Sequence, residues 1–257
     1  MPSANSSVLD IDLDFNLDVA LDDTQPGAGT VDRSVFRAYD IRGVVGETLT
    51  EDSVYEIGRA LGAEAESRGQ KTVVVARDGR HSSEPFMQAL TKGLLESGRD
   101  VLDIGLAPTP VLYFATNYLD AHSGVMITGS HNAAEYNGFK ICVGKEAIHG
   151  EEIQRLRRLM EAGRFATGSG RLSSHPIIPD YLQHLKTSFS GVRADHLHVV
   201  VDCGNGAASL VAKQALEQMG CRVTGLYDEL DGRFPNHHPD PTVMENLQDL
   251  IATVREK

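Results

Sequence analysis

At 257 residues, 41% of them hydrophobic and 23% charged, the chain has material for one large or two ordinary globular domains. It contains no run of ~18 apolar residues that would cross a bilayer. The net charge of −12 excludes a general attraction to nucleic acid or anionic membranes, so a bound phosphate must be held by a local basic site.

The start, MPSANSSVLDID, has neither the basic nor the apolar region of a secretory signal. Cys142, Cys203 and Cys221 lack CxxC spacing. They read as reduced, packed thiols of a cytoplasmic protein rather than a disulfide framework. The charge is uneven: residues 1–30 hold six Asp and no Lys or Arg, while the rest hold 24 basic and 30 acidic groups. Between positions 9 and 21, Leu9, Ile11, Leu13, Phe15, Leu17, Val19 and Leu21 alternate mostly with Asp. Period two suits a strand. Acidic-hydrophobic alternation ahead of Gln25-Pro26-Gly27-Ala28-Gly29 suits an arm better, and residues 1–30 are read as an acidic flexible arm.

Regular periodicity begins after Val31. Residues 51–68 place Val54, Ile57, Leu61 and Ala65 on one helical face, with Glu51 and Asp52 in the first turn and Gly69 as a stop. Val73-Val74-Val75 predicts a strand buried on both faces. The polar loop Arg77-Asp78-Gly79-Arg80 leads to Ser82, Ser83 and Pro85, which suit the start of a helix running to Gly98. Next come a strand at 100–104, a helix near 109–119, strands at 123–128 and 139–143, and a helix at 151–162 carrying Ile153, Leu156, Leu159 and Met160. This alternation is the pattern of an α/β domain with a largely parallel sheet.

Residues 163–175 are rich in Gly and Ser and lack periodicity, which places a domain boundary there, with units at 31–170 and 171–257. The alternation restarts with a helix near 179–190, a strand at 197–201, a helix ending at Gly220 and a strand at 221–227. A last helix opens with a Thr242-x-x-Glu245 capping box and buries Leu247, Leu250, Ile251 and Val254. Ending on a helix, the second unit reads as incomplete. The expected fold is therefore α/β: two units with mixed, largely parallel sheets flanked by helices.

Three segments carry chemistry. The first, residues 128–140 (TGSHNAAEYNGFK), follows an apolar strand and so emerges at a strand's carboxyl end, where open α/β sheets bind ligands. Gly129 permits a tight turn that exposes the Ser130 hydroxyl. That hydroxyl can accept and donate a phosphoryl group if neighbouring donors neutralise the oxygens. His131 and Asn132 can orient those oxygens, and Lys140 can supply a charge or accept a proton. The same composition also suits a polar surface loop with Asx turns. A Ser–His hydrolase is disfavoured, because adjacent residues on an extended loop point apart and no GxSxG elbow is present.

The second segment, FRAYDIRG at 36–43, brings Arg37, Tyr39 and Arg42 together. An arginine fork there suits a phosphate, and a solvated basic strand end is the alternative. The third, Asp202-Cys203-Gly204-Asn205-Gly206-Ala207-Ala208-Ser209, is a possible anion cradle between strand and helix but a weak dinucleotide fingerprint. Asn236-His237-His238-Pro239-Asp240 reads as a polar turn rather than a metal site.

Taken together, FRAYDIRG, TGSHN…YNGFK and VVVDCGNGA…FPNHHPDP resemble the α-D-phosphohexomutase family, most nearly its bacterial phosphomannomutase/phosphoglucomutase branch, from about Val31 onward. The resemblance implies that Ser130 is stored as phosphoserine. It implies phosphate transfer between C6 and C1 of mannose or glucose phosphate through a bound bisphosphorylated sugar. It implies that His131 partners the phosphate loop, that Lys140 moves a proton or contacts phosphate, and that Tyr39 and Arg42 lie in the active site. It implies Mg²⁺ bound by the Ser130 phosphate and by a DGDGD-type loop.

Two departures stand out. Ala133 occupies a position usually held by proline, which loosens the loop, and no DGDGD loop occurs in residues 1–257. The loop and two further sugar-binding domains are expected beyond Lys257, so this chain alone is expected to be inactive. Asp228, Asp231 and His237 are the first candidates if it instead builds its own metal site. The alternative from another class is a non-catalytic nucleotide- or phosphate-binding fragment using residues 202–209.

Overall fold

The computed structural model describes residues 31–257; the arm assigned to residues 1–30 lies outside them. A short 3-10 turn at Arg33–Val35 leads to strand β1 (Ile41–Val44), helix α1 (Glu51–Ser67), β2 (Thr72–Arg77) and α2 (Ser83–Glu96). These are followed by β3 (Asp100–Leu106), α3 (Thr109–Tyr118), β4 (Gly124–Ile127), β5 (Tyr136–Val143), β6 (Glu146–Ala147) and α4 (Glu151–Glu161). After β7 (Leu172–Ser174) come α5 (Ile178–Ser188), β8 (His198–Asp202), α6 (Ala212–Gln218), β9 (Arg222–Leu226) and α7 (Gln248–Glu256).

The main sheet has the order β1-β5-β4-β2-β3-β7, with β6 on β5. Strands β4, β2, β3 and β7 run parallel, and β5 is antiparallel to both β1 and β4. The sheet is thus mixed and largely parallel, as the alternating pattern predicts. Strand β2 explains its own apolar run. Val73 and Val75 enter the core under α1, α2 and α4, while Val74 and Ala76 enter a second core with Val111, Leu112, Met126 and Leu182 on the opposite face. Because side chains alternate across a strand, only an uninterrupted apolar run fills both layers.

Helix α1 buries the predicted Val54, Ile57, Leu61 and Ala65. Its start is fixed by a reciprocal cap between Thr50 and Ser53. Helices α1 and α2 meet backbone to backbone: a Cβ on Gly58 would stand 2.5 Å from the Leu90 carbonyl, and one on Gly93 2.9 Å from the Arg59 amide.

Several details differ from the sequence expectations. Ser82 makes no cap hydrogen bond to α2. Instead Ser83 donates to Asp78 Oδ1 at 2.6 Å, and Asn137 Nδ2 donates to the Ser82 and Ser83 hydroxyls at 2.8 and 3.0 Å. The serines are recruited to hold two loops together. The aperiodic stretch 163–175 contains β7, which pairs with β3 at the sheet edge, its side chains all exposed. An exposed edge strand has no apolar face to reveal it.

The single helix expected up to Gly220 is split into a 3-10 turn, Ala207–Leu210, and α6. The Thr242–Glu245 capping box does not form. Asp240 Oδ1 accepts from both the amide and the hydroxyl of Thr242, at 2.9 and 2.7 Å, and this closes an Asx turn instead. A 3-10 turn, Met244–Leu247, then precedes α7. No residue of α7 is fully buried, and Val254 is 56% exposed.

Candidate functional site

Parallel pairing of β2 with β4 aligns Arg77 with Ile127, so the loops that leave both strands emerge side by side. The Asp78 amide donates to the Ile127 carbonyl at 2.9 Å. One loop carries Asp78-Gly79-Arg80; the other is the turn from Thr128 to Glu135 that returns as β5. Ser130 stands exposed at its tip with φ 54°. A left-handed conformation costs a non-glycine residue roughly 1–2 kcal/mol, so neighbouring groups must hold it.

Arg80 is the principal one. It is 2% exposed, and its guanidinium spends every donor locally. Nη1 donates to the Ala133 and Tyr136 carbonyls at 2.6 and 3.1 Å, and Nη2 to the Ser130 and Asn132 carbonyls at 2.9 and 2.7 Å. Nε donates to Asp78 Oδ2 at 3.1 Å. Burial pushes the Arg80 pKa below its ordinary value; the Asp78 and Glu135 carboxylates oppose that shift and Arg42 adds to it. Asp78 also accepts from the Gly129 amide at 3.3 Å. The turn is closed from within. Asn132 Nδ2 donates to the Gly129 carbonyl at 2.7 Å, and the Ser130 amide donates to Thr128 Oγ1 at 2.9 Å.

Gly129 is needed for space: an added Cβ would lie 2.5 Å from Arg80 Cζ and 2.6 Å from Nε. A cavity of about 320 Å³ opens beside Ser130. Its walls include Thr128 and Pro108 from the first unit and Asn205, Gly206 and Phe234 from the second. The first and third chemistry-bearing segments therefore meet across one cavity. Asn205, itself at φ 56°, donates to the Glu229 carbonyl at 2.8 Å and accepts from Asn236 Nδ2 at 2.7 Å, which ties the cradle to the 228–240 loop. Phe234 of that loop covers the Arg80 guanidinium at 4.9 Å, and His131 Nδ1 lies 3.4 Å from Asp240 Oδ1.

The remaining sequence candidates, Arg42, Tyr39 and Lys140, are not walls of the cavity. Arg42 pairs with Asp40 and sits in register with Gly138. Tyr39 is 71% exposed, its ring 6.5 Å from that of His149. Lys140 is aligned with Met126 on β4, and its side chain has no hydrogen bond or ion pair among the described residues.

The residues present do not make a metal site. Among the described residues no three His, Cys, Asp or Glu converge. Asp228 faces Lys213 at 3.5 Å, Asp231 is gripped by Arg233 and His237 pairs with Asp202 at 3.1 Å. Arg233 holds the Asp231 pKa down at about 2. Burial alone would lower the His237 pKa, but the His238 carbonyl and the Asp202 carboxylate together raise it. All three cysteines are buried and unpaired, and burial pushes the Cys142 and Cys203 thiols up to about 11. They pack as apolar groups and are not poised nucleophiles.

Reading of the sequence missed Asp78, Arg80 and Asn137 as parts of the site. The available signal was a charged stretch, Arg77-Asp78-Gly79-Arg80, set directly after the buried apolar run Val73-Val74-Val75-Ala76.

Two family models match the chain. "Phosphoglucomutase/phosphomannomutase, alpha/beta/alpha domain I" covers residues 33–167, and domain II of the same family covers 179–257. A phosphomannomutase/phosphoglucomutase of Pseudomonas aeruginosa is 50% identical over 228 residues, spanning 89% of this chain and 49% of the relative. A phosphoglucomutase of Neisseria gonorrhoeae is 43% identical, spanning 88% and 49%. A phosphoglucomutase/phosphomannomutase family protein of Burkholderia thailandensis superposes with a TM-score of 0.83 at 42% identity, over 88% of this chain and 51% of that one. The chain thus spans about half the length of the curated relatives it matches. Its three motifs fall within the two matched domains, and the chain belongs to the phosphoglucomutase/phosphomannomutase family.

Proposed function

We propose that this chain is the phosphate-carrying half of a phosphomannomutase/phosphoglucomutase, with Ser130 as the carrier and the unit boundary within 163–175. One observation carries the reading: an exposed serine is held in a left-handed turn by a buried arginine, at the wall of a cavity shared by both units. Such a hydroxyl is fixed in place, open to solvent and not engaged by a neighbouring base. Those properties suit a group that is phosphorylated and dephosphorylated in turn better than a hydrolytic nucleophile.

In the first step the phosphorus–Oγ bond of phosphorylated Ser130 breaks and a bond forms to the free hydroxyl of a hexose monophosphate. The sugar hydroxyl gives up its proton as Ser130 Oγ takes one up, and Lys140, whose side chain has no partner among the described residues, is assigned to relay it. The bisphosphorylated sugar then turns, and its other phosphate returns to Ser130 Oγ. His131 and Asn132 orient the phosphate oxygens, while Arg42 and Tyr39 receive the far end of the sugar phosphate. Mannose and glucose phosphates are the proposed substrates. Mg²⁺, if bound as the Ser130 phosphate would allow, needs ligands other than the carboxylates described here. The same reading places the protein in the cytoplasm, where its thiols stay reduced. No helix among the described residues is long and apolar enough to cross a membrane.

The test uses the full-length protein, meaning this chain joined to the counterpart of its relatives' second half. Ser130→Ala should abolish conversion of mannose 1-phosphate and glucose 1-phosphate in a coupled assay. Near-normal turnover by that variant, free of contaminating enzyme, would contradict the reading.

A further inference from the structure

We propose that Arg80 is a positioning residue for phosphoryl transfer at Ser130, and that it links the seating of the second unit to the geometry of the serine loop. The inference rests on the reading of Ser130 as the phosphate carrier.

A guanidinium has five N–H donors, and all five of Arg80 are in use. Four reach the carbonyls of Ser130, Asn132, Ala133 and Tyr136, and the fifth reaches Asp78 Oδ2. No donor is left for a phosphate oxygen, so Arg80 does not bind substrate; it fixes the path of the backbone that presents the hydroxyl. Three carbonyls of the turn and that of Tyr136, which opens β5, gathered on one rigid fork leave the loop a single conformation, and the left-handed Ser130 belongs to it. This clamp also supplies rigidity at the position where Ala133 stands in place of a proline.

The outer face of the same guanidinium is sealed by the Phe234 ring at 4.9 Å. The approach is close along the neighbouring backbone as well, because a Cβ on Gly232 would lie 2.7 Å from Arg80 Cα. Phe234 and Gly232 belong to the 228–240 loop of the second unit, which also brings Asp240 to within 3.4 Å of His131. Seating that loop removes water from the clamp and strengthens its hydrogen bonds. Serine-loop order and second-unit docking thus share one side chain. Lysine cannot substitute, since an ammonium is a point charge with three donors and no planar fork.

The experiment compares wild-type full-length protein with Arg80→Lys and Arg80→Ala. Four quantities are measured: the single-turnover rate of transfer from phosphorylated Ser130 to glucose 1-phosphate, the steady-state KM, amide hydrogen exchange, and recovery on adding guanidinium ion. A displacement of the hydroxyl by about 1 Å costs about a hundredfold in rate, so Arg80→Lys should lose about that much with KM little changed. Amides of residues 129–136 should exchange faster while those of β2 and β4 do not, and guanidinium should restore part of the activity of Arg80→Ala. If Arg80→Lys does not fold, Gly129→Ala, whose methyl displaces the guanidinium, serves in its place with the same expectations.

A folded Arg80→Lys protein with wild-type transfer rate would overturn the proposal. So would uniformly faster exchange through β2 and β4, with no rescue by guanidinium, because that pattern marks a general loss of stability. A wild-type protein that never carries phosphate on Ser130 would overturn the underlying reading and the inference with it.

Discussion

Gly129 and Arg80 fill one space, so the smallest possible enlargement of either is informative. Gly129→Ala should lower transfer by Ser130 severely and lower thermal stability as well, because the methyl would meet the buried Arg80 guanidinium at 2.5 Å and the Tyr136 backbone carbonyl at 2.7 Å. Mutase assay and thermal unfolding of the same preparation check this; unchanged transfer would mean that the guanidinium yields without consequence. A second residue-scale expectation concerns the His237–Asp202 pair. His237 has its pKa raised above its ordinary 6.5 in the folded protein, so the stability it contributes is fully present below pH 6.5 and is lost as pH rises through the folded value. Unfolding midpoints measured from acidic to mildly alkaline pH should show this decline, and His237→Gln should flatten it; an identical profile in the variant would contradict it.

At this scale the sequence pointed to the proposed phosphate carrier but not to the groups that hold it. Ser130 and Gly129 were legible because a strand followed by Gly-Ser announces a turn. Arg80 was not, since its partners are backbone carbonyls 50 to 56 residues away, and carbonyls leave no mark in a sequence.

Among the elements, α1 and α2 illustrate what periodicity can and cannot reveal. The 3.6-residue spacing of Val54, Ile57 and Leu61 predicted the buried face of α1, and Glu51–Ser67 is the observed helix. That Gly58 and Gly93 let the two backbones touch could not be read from either helix alone. Gly93→Ala should therefore destabilise the protein by about 1–3 kcal/mol through overpacking, against the usual gain from alanine in a helix. Denaturant unfolding checks the sign, and a stabilised variant would show that the helices separate freely. Strand β2 was legible because both of its faces are buried. Strand β7 was not, because neither face is. The Thr242–Glu245 box failed for a related reason: Asp240, two residues earlier, offers Thr242 a closer acceptor, and a local Asx turn outcompeted the helix cap.

For the molecule as a whole, the order of strand and helix predicted the α/β architecture, and the three motifs indicated the family. The meeting of the first and third motifs across one cavity depends on how the second unit seats on the first, which no single segment encodes. Because the chain spans about half the length of its relatives, and because no metal cluster forms among the described residues, the isolated chain should turn over hexose phosphates far more slowly than the full-length protein. A coupled assay of both, with Mg²⁺ and a bisphosphorylated hexose, tests this; comparable rates would mean that the two units suffice.

The most direct test of Ser130 as the phosphate carrier is the covalent state of the protein. Full-length protein treated with a bisphosphorylated hexose should gain the mass of one phosphate, and peptide mapping should place it on Ser130. The phosphate should be lost on addition of excess hexose monophosphate and should be absent from Ser130→Ala. Phosphate mapped to any other residue, or none on a protein with full mutase activity, would contradict the account.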